Sequence, residues 1–599
     1  MSVLKLSSWG WAFLVMFLSA PRSSLLAEDA VSARAPVVSE VRREFLSRLA
    51  RRTLRDAVLG RETYQRDYVP AALGSVYAEV VVRLRQRGYL LAAGAGATKP
   101  IAESTRDAAL AAATTWIRDL HPDVEAVDQI LVEIEACGAA EPLPAGVDWT
   151  QPGAVDADVE PGVHGLVLSS ANVQYRLCPS EVFTGDTPLS DALKALAQNL
   201  HTDPSQVTQT RLWRFRASHW YEPAPGAGVV SLHRGLTLVA PEAVSARGLD
   251  EAVAGIAEYM VYRQLGSGLF TYQFDPGQDR YSDEDNVVRQ VGAAAAMALH
   301  ARRSQKSASL AAADLAIRRH LQGLTEIPGV EGAGFIATAD GKNKLGVTAL
   351  LCVALQWHPD PERYAAAREK LIRGMLRLQR PSGMFVTAFP PAVQITAQDY
   401  FPGEALLALA MEYDRQPSAK ILEAFDRAIG FYRDYFRAGG SPAFVPWQVQ
   451  AFTLMAGHSK RRDYIDFVFE LTDWLAERQL TPSNCEWSEL RGGIAAQQPG
   501  RPGVATASYL EGFADALTLA RRIGDAERAK RYERLVREAA RFVMQLQVRP
   551  EEAYFTRSPQ DVVGGIRTAP ALHRLRIDHC QHALVAMMKT RAVLYPDEP

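Results

Sequence analysis

The sequence predicts a multi-domain chain: an N-terminal α+β domain followed by an all-α (α/α)6 toroid. Three observations predict it. The 599 residues exceed the length at which a single core usually stops growing, about 300 residues. Residues 249–594 alternate two kinds of helix six times. The first third instead mixes β-branched runs with Ala-rich amphipathic stretches. Composition agrees with a globular chain: 48% hydrophobic and 22% charged residues exclude wholesale disorder. With 66 Lys+Arg against 68 Asp+Glu, the net charge of −2 gives no global attraction to nucleic acid or anionic lipid.

Residues 1–27 read as a secretory signal, with Lys5 before a ten-residue apolar run (WGWAFLVMFL, 9–18) and the small Ala27 at a cleavage position. The run is short of the ~20 apolar residues a membrane span needs, and no later segment qualifies. The expected location is therefore periplasmic or extracellular. The α+β domain is assigned to 37–222. It has helices over 37–61, 105–120 and 189–200, and strands over 77–84, 130–136 and 165–168. The Arg-rich stretch 42–55 is expected to be the solvated face of the first helix. Residues 223–248, opening with the Pro/Gly-rich EPAPGAG (222–228), form a linker, and 249–599 the toroid. The five cysteines form no CxxC pair and read as small buried hydrophobes.

Within the toroid, the charge-rich amphipathic stretches are 249–265, 310–324, 361–378, 419–436, 461–479 and 526–547. Each is followed by a helix poorer in charge and rich in Ala and Leu: 286–301, 346–357, 400–413, 447–458, 507–524 and 577–594. A helix apolar on nearly all sides must be buried, whereas one with a polar face can lie outside. Six such pairs make an inner ring inside an outer ring. The connectors share a Gly-plus-aromatic theme (GLFTYQFDP, SGMFVTAFPP, GGI), which suits tight turns at the end holding the inner-helix N-termini. Six converging N-termini favour an anionic ligand.

The first turns of the inner helices carry polar groups. Glu404 lies inside an otherwise apolar helix, where a charge needs a partner or a task. With Glu511, Asp578 and His582 it forms the candidate set for acid/base catalysis. Asn286, Arg289, Tyr400, Trp447, Gln450, Tyr509, Arg576 and His579 are candidates for substrate binding, the aromatic ones by stacking on sugar faces. For Asp578 a helix N-terminal role is the competing reading. His579 and His582 sit three apart on one face, but no third ligand is spaced to help them hold a metal. No metal and no cofactor is expected.

The segments SDEDNVVRQVGA, QDYFPGEALLALA and RLRIDHCQHAL, with the six-hairpin pattern over 249–594, resemble the six-hairpin glycosidase-like superfamily. That resemblance implies carbohydrate work in a central cavity without naming the reaction. In the first third, the opening helix, VVVRLRQRGYLL and GVHGLVLSSANVQYRLCPSEVF resemble the AMME-syndrome critical-region domain family. The family's Arg-Gly-Cys-Ile-Gly segment is missing, with LAAGAG at 91–96 in its place. The functional expectation is an exported carbohydrate-active enzyme, a hydrolase, lyase or epimerase, taking an oligosaccharide or sugar acid. The alternative is a non-catalytic glycan-binding or scaffold protein with a degenerate toroid. No nucleic-acid partner and no stable membrane span are expected; oligomeric state is left open.

Overall fold

A computed structural model describes residues 35–61, 71–144, 158–170, 173–184, 191, 193, 211–497 and 500–596. The signal segment, and all but residues 191 and 193 of the helix expected at 189–200, lie outside the described residues.

The N-terminal third builds an antiparallel sheet. Its main path runs Tyr89–Pro100, Tyr77–Gln86, Leu131–Cys137, Arg211–Glu222, His164–Ser170, Val173–Leu177, with Glu141–Pro142 and Val230–Leu232 also pairing with the long Arg211–Glu222 strand. Helices Glu40–Val58 and Ile101–Leu120 cover it, burying Leu46, Leu54, Ala108 and Trp116 against Val80, Val82, Val132 and Ile134. The Ala/Gly run at 91–96 is the inside of a strand. A Cβ at Gly94 or Gly96 would overlap the Ala108 or Ser104 carbonyl, so small residues let the helix backbone approach. One expectation needs correction. Arg51, in the stretch read as solvated, is buried, bonded to the Glu222 carboxylate and to the Val127 and Ile130 carbonyls. Strand Leu131–Cys137 alternates charged and apolar residues, yet its second face is buried too, its glutamates paired with arginines. There Arg83 meets Glu135 (2.5 Å) and Arg85 meets Glu133 (2.6 Å).

The C-terminal part is the double ring. The inner helices are Val287–Ser304, Leu345–Trp357, Phe401–Arg415, Val445–Ser459, Ala505–Arg522 and Ile577–Leu594. Each packs on the next, and the sixth packs back on the first, so the ring closes. The outer helices are Ala246–Tyr262, Ser307–Leu321, Ala365–Arg377, Ala419–Gly439, Arg462–Ala476 and Ala526–Leu546. One continuous apolar core joins the two layers.

The connectors explain the Gly theme. Gln379, just past the third outer helix, donates from Nε2 to Gly383 O (3.2 Å) and Ala424 O (2.8 Å) on the fourth. Gln264 reaches Ala312, Gln479 reaches Leu535, and Gln547 reaches Ala252 in the same way. The last of these ties the sixth outer helix to the first. Gly383 sits at φ +96°, against the Arg427 carbonyl, and Gly268, Gly492 and Gly564 repeat both features on their own neighbours. No other residue fits such a turn without a collision.

Candidate active site

The connectors between outer and inner helices gather at one end of the ring, and with them the inner-helix N-termini. Some polar residues there serve the fold. Asn286 caps the first inner helix, its Oδ1 accepting from Val288 N at 3.0 Å. Gln290 brackets the Phe270 backbone, and Thr348 and Thr506 accept from Ile336 N and Ile494 N at 3.0 Å. These first-turn side chains fasten each connector to its inner helix, a task the sequence reading did not foresee.

Three clusters remain. At the rim, Arg576 grips Asp578 as a fork, Nε to Oδ1 at 2.6 Å and Nη2 to Oδ2 at 2.9 Å. Arg289 lies 3.2 Å from the same carboxylate and also holds the Tyr272 hydroxyl. Burial alone would raise the Asp578 pKa. The Arg576 bonds outweigh it and, with His579 and Arg289, hold the carboxyl below its usual range.

One turn further in, Glu511 Oε1 and His582 Nδ1 are 2.7 Å apart across the fifth and sixth inner helices. Burial opposes charge on His582, but the Glu511 carboxylate, aided by Asp578 and Glu404, raises its pKa overall. The nitrogen facing the carboxylate therefore carries a proton. The Trp447 ring stands edge-on to the imidazole, centroids 5.9 Å apart. On the third inner helix Glu404 is 4% exposed, its Oε2 lies against Gly346, and that oxygen has no hydrogen-bond partner. Burial pushes this carboxyl up to about 8, with His582 pulling weakly the other way. Near neutral pH, Glu404 keeps its proton, and beside it His582 Nδ1 stands hydrogen-bonded to Glu511. Tyr400, half exposed, and buried Tyr509 complete this level; burial pushes the Tyr509 hydroxyl up to about 12.

The remaining candidates lie apart. His579 is buried and burial drives it down to about 4, so it is neutral at physiological pH; its Nδ1 is unpartnered. Gln450 sits deeper, with Lys589 and Asp515. Sequence reasoning missed Tyr272, Asp515 and Lys589. The last two were detectable, since Asp515 follows Glu511 by four residues and Lys589 follows His582 by seven, continuing the same helix faces. Among the described residues no group of three or more His, Cys, Asp or Glu is placed to hold a metal ion, and no helix is long and apolar enough to cross a membrane.

No family model matches the chain, and no curated protein does. Solved structures do resemble it. An inactive α-1,6-mannanase variant of Salegentibacter sp. HEL1_6, in complex with α-1,6-mannotetrose, aligns over 58% of this chain and 99% of its own, at 10% identity and TM-score 0.42. An unsaturated glucuronyl hydrolase specific for heparin aligns over 57% and 96%, at 8% identity and TM-score 0.41. An uncharacterised protein from Pyrococcus horikoshii aligns over 33% and 98%, at 20% identity and TM-score 0.28. At these scores the likenesses carry no argument about chemistry. The closure of the ring stands on this chain's own helix contacts.

Proposed function

We propose that the chain is an exported carbohydrate-active enzyme that cleaves a glycosidic C–O bond by acid/base chemistry inside the ring. The observation that supports it is the hydrogen-bonded Glu511–His582 pair next to buried Glu404, whose carboxyl burial pushes up to about 8. Neighbouring titratable groups with opposed protonation states are what an acid and its partner require. Glu404 is the general acid that protonates the leaving oxygen. The Glu511 carboxylate, oriented by His582, takes the balancing proton, from water in a hydrolysis or from a sugar carbon in an elimination. Epimerisation leaves the glycosidic oxygen in place and gives Glu404 no such task. Asp578, held by two arginines, positions Arg289 and Arg576 rather than carrying protons. Those arginines exceed their shared carboxylate by one positive charge, which favours a substrate bearing a carboxylate. Tyr400, Trp447 and Tyr509 offer faces for stacking. Export rests on the apolar segment at residues 9–18.

The test is turnover on a panel of neutral and uronic-acid-containing oligosaccharides. Glu404→Gln should lower kcat by about 10²–10⁴-fold with the fold intact. Binding of a panel member without any turnover by the unaltered protein would instead establish the non-catalytic glycan-binding alternative.

A further inference from the structure

Below the Glu511–His582 pair lies a second polar level. Lys589 Nζ donates to Asp515 Oδ2 and to Gln450 Oε1, both at 2.7 Å, linking the sixth, fifth and fourth inner helices. The Lys589 and Asp515 side chains keep 14% and 23% of their surface accessible, although each sits well inside its helix. Gln450, by contrast, is 1% exposed and its Nε2 has no partner; the Thr453 hydroxyl, nearly one turn on, has none either. A buried, unpaired polar group costs about 1–3 kcal/mol. Packing alone does not offset that cost, but a ligand offering hydroxyls does.

We propose that Lys589, Asp515 and Gln450 form a subsite that binds the hydroxyl groups of the terminal sugar of a chain, so that the enzyme removes residues from an end. This rests on the acid/base reading of the level above. The chemistry matches adjacent hydroxyls, each of which donates and accepts one bond. The third Lys589 N–H and the Gln450 amide N–H donate, and Asp515 Oδ1 accepts. Depth agrees as well. Asp515 is four residues below Glu511, which at about 1.5 Å per residue is ~6 Å, room for one pyranose ring between the reacting bond and the floor.

The experiment titrates D-mannose, D-glucose and D-glucuronate separately into the full chain, read by saturation-transfer NMR. At least one should bind the unaltered protein. Gln450→Leu, and the charge-balanced double variant Asp515→Asn/Lys589→Met, should each weaken it about tenfold or more, with the far-UV circular dichroism unchanged. Unchanged affinity in both variants overturns the subsite, as does failure of all three sugars to bind. A ladder of internal fragments from a long oligosaccharide also overturns it while leaving the acid/base reading standing. Conversely, sugar binding that depends on Gln450, in a protein that turns nothing over, keeps the subsite and sinks the enzyme.

Discussion

Glu404 carries the strongest consequences of any single residue. Its carboxyl ionises near 4.5 in an unfolded chain and near 8 in the folded one. The folded state therefore binds the proton more tightly. The stability this contributes is fully present below pH 4.5 and is lost as pH rises through 8. Thermal unfolding followed across pH 5–9 should show Tm of Glu404→Gln gaining on the unaltered protein as pH rises; parallel curves would mean the carboxyl is not buried and protonated. Activity should fall above pH 8 for the same reason, as the acid loses its proton. His582 is shifted the same way but for a different reason. Its raised pKa comes from Glu511, so Glu511→Gln should lower it, an effect read directly by imidazole NMR titration. Much of this was legible beforehand: a Glu inside an Ala/Leu helix announces itself. What the sequence withheld was the partner of each group. In the sequence Asp578 stands with Glu511 and His582 as an acid/base candidate, and His579 stands among the substrate-binding candidates. Only the arrival of Arg576 and Arg289 at Asp578, and the burial of His579, separates them.

Elements explain why the ring closes. The Gln379-type amides and the Gly383-type turns recur at four connectors and join one outer helix to the next. Gly383→Ala should cost about 1–3 kcal/mol from its backbone conformation alone, and more from the clash with the Arg427 carbonyl. Urea unfolding would measure it; a loss under a few tenths of a kcal/mol would mean the connector simply moves aside. The inner/outer alternation was readable because burial on all sides leaves no polar face. The strands Tyr89–Pro100 and Arg211–Glu222 were not. The first is written in Ala and Gly to admit a helix backbone, and the second mixes Arg and His among its apolar residues, with His219 buried against Glu133.

At the scale of the whole molecule, the N-terminal sheet leans on the connector end of the ring. Arg234 is buried between Glu489 (2.5 Å) and Glu160 (2.6 Å), and Arg501 reaches the same Glu160. Trp487 receives Arg216 and Arg234 on its ring, Tyr221 stacks on Tyr554 at 5.0 Å, and the Tyr221 hydroxyl donates to Glu551 O. Helix Pro179–Thr184 packs on strand Leu572–Arg576, which leads directly into the Arg576–Asp578 fork. Arg234→Met would leave the buried Glu489 carboxylate without its cation, while Glu160 keeps Arg501, a loss of about 3–5 kcal/mol. Calorimetry should then resolve two unfolding transitions in place of one; a single transition with unchanged Tm would show that the contact contributes nothing.

The amino-acid order alone determined that twelve helices alternate between two kinds and that charge was placed inside an apolar wall, because periodicity and composition act over neighbouring residues. Which charges meet was settled only when the ring closed. Glu511 and His582 are 71 positions apart, and Arg289 and Asp578 belong to the first and sixth inner helices. Pairings over such distances depend on how helices cross and how far each is turned about its axis, and no local pattern records that.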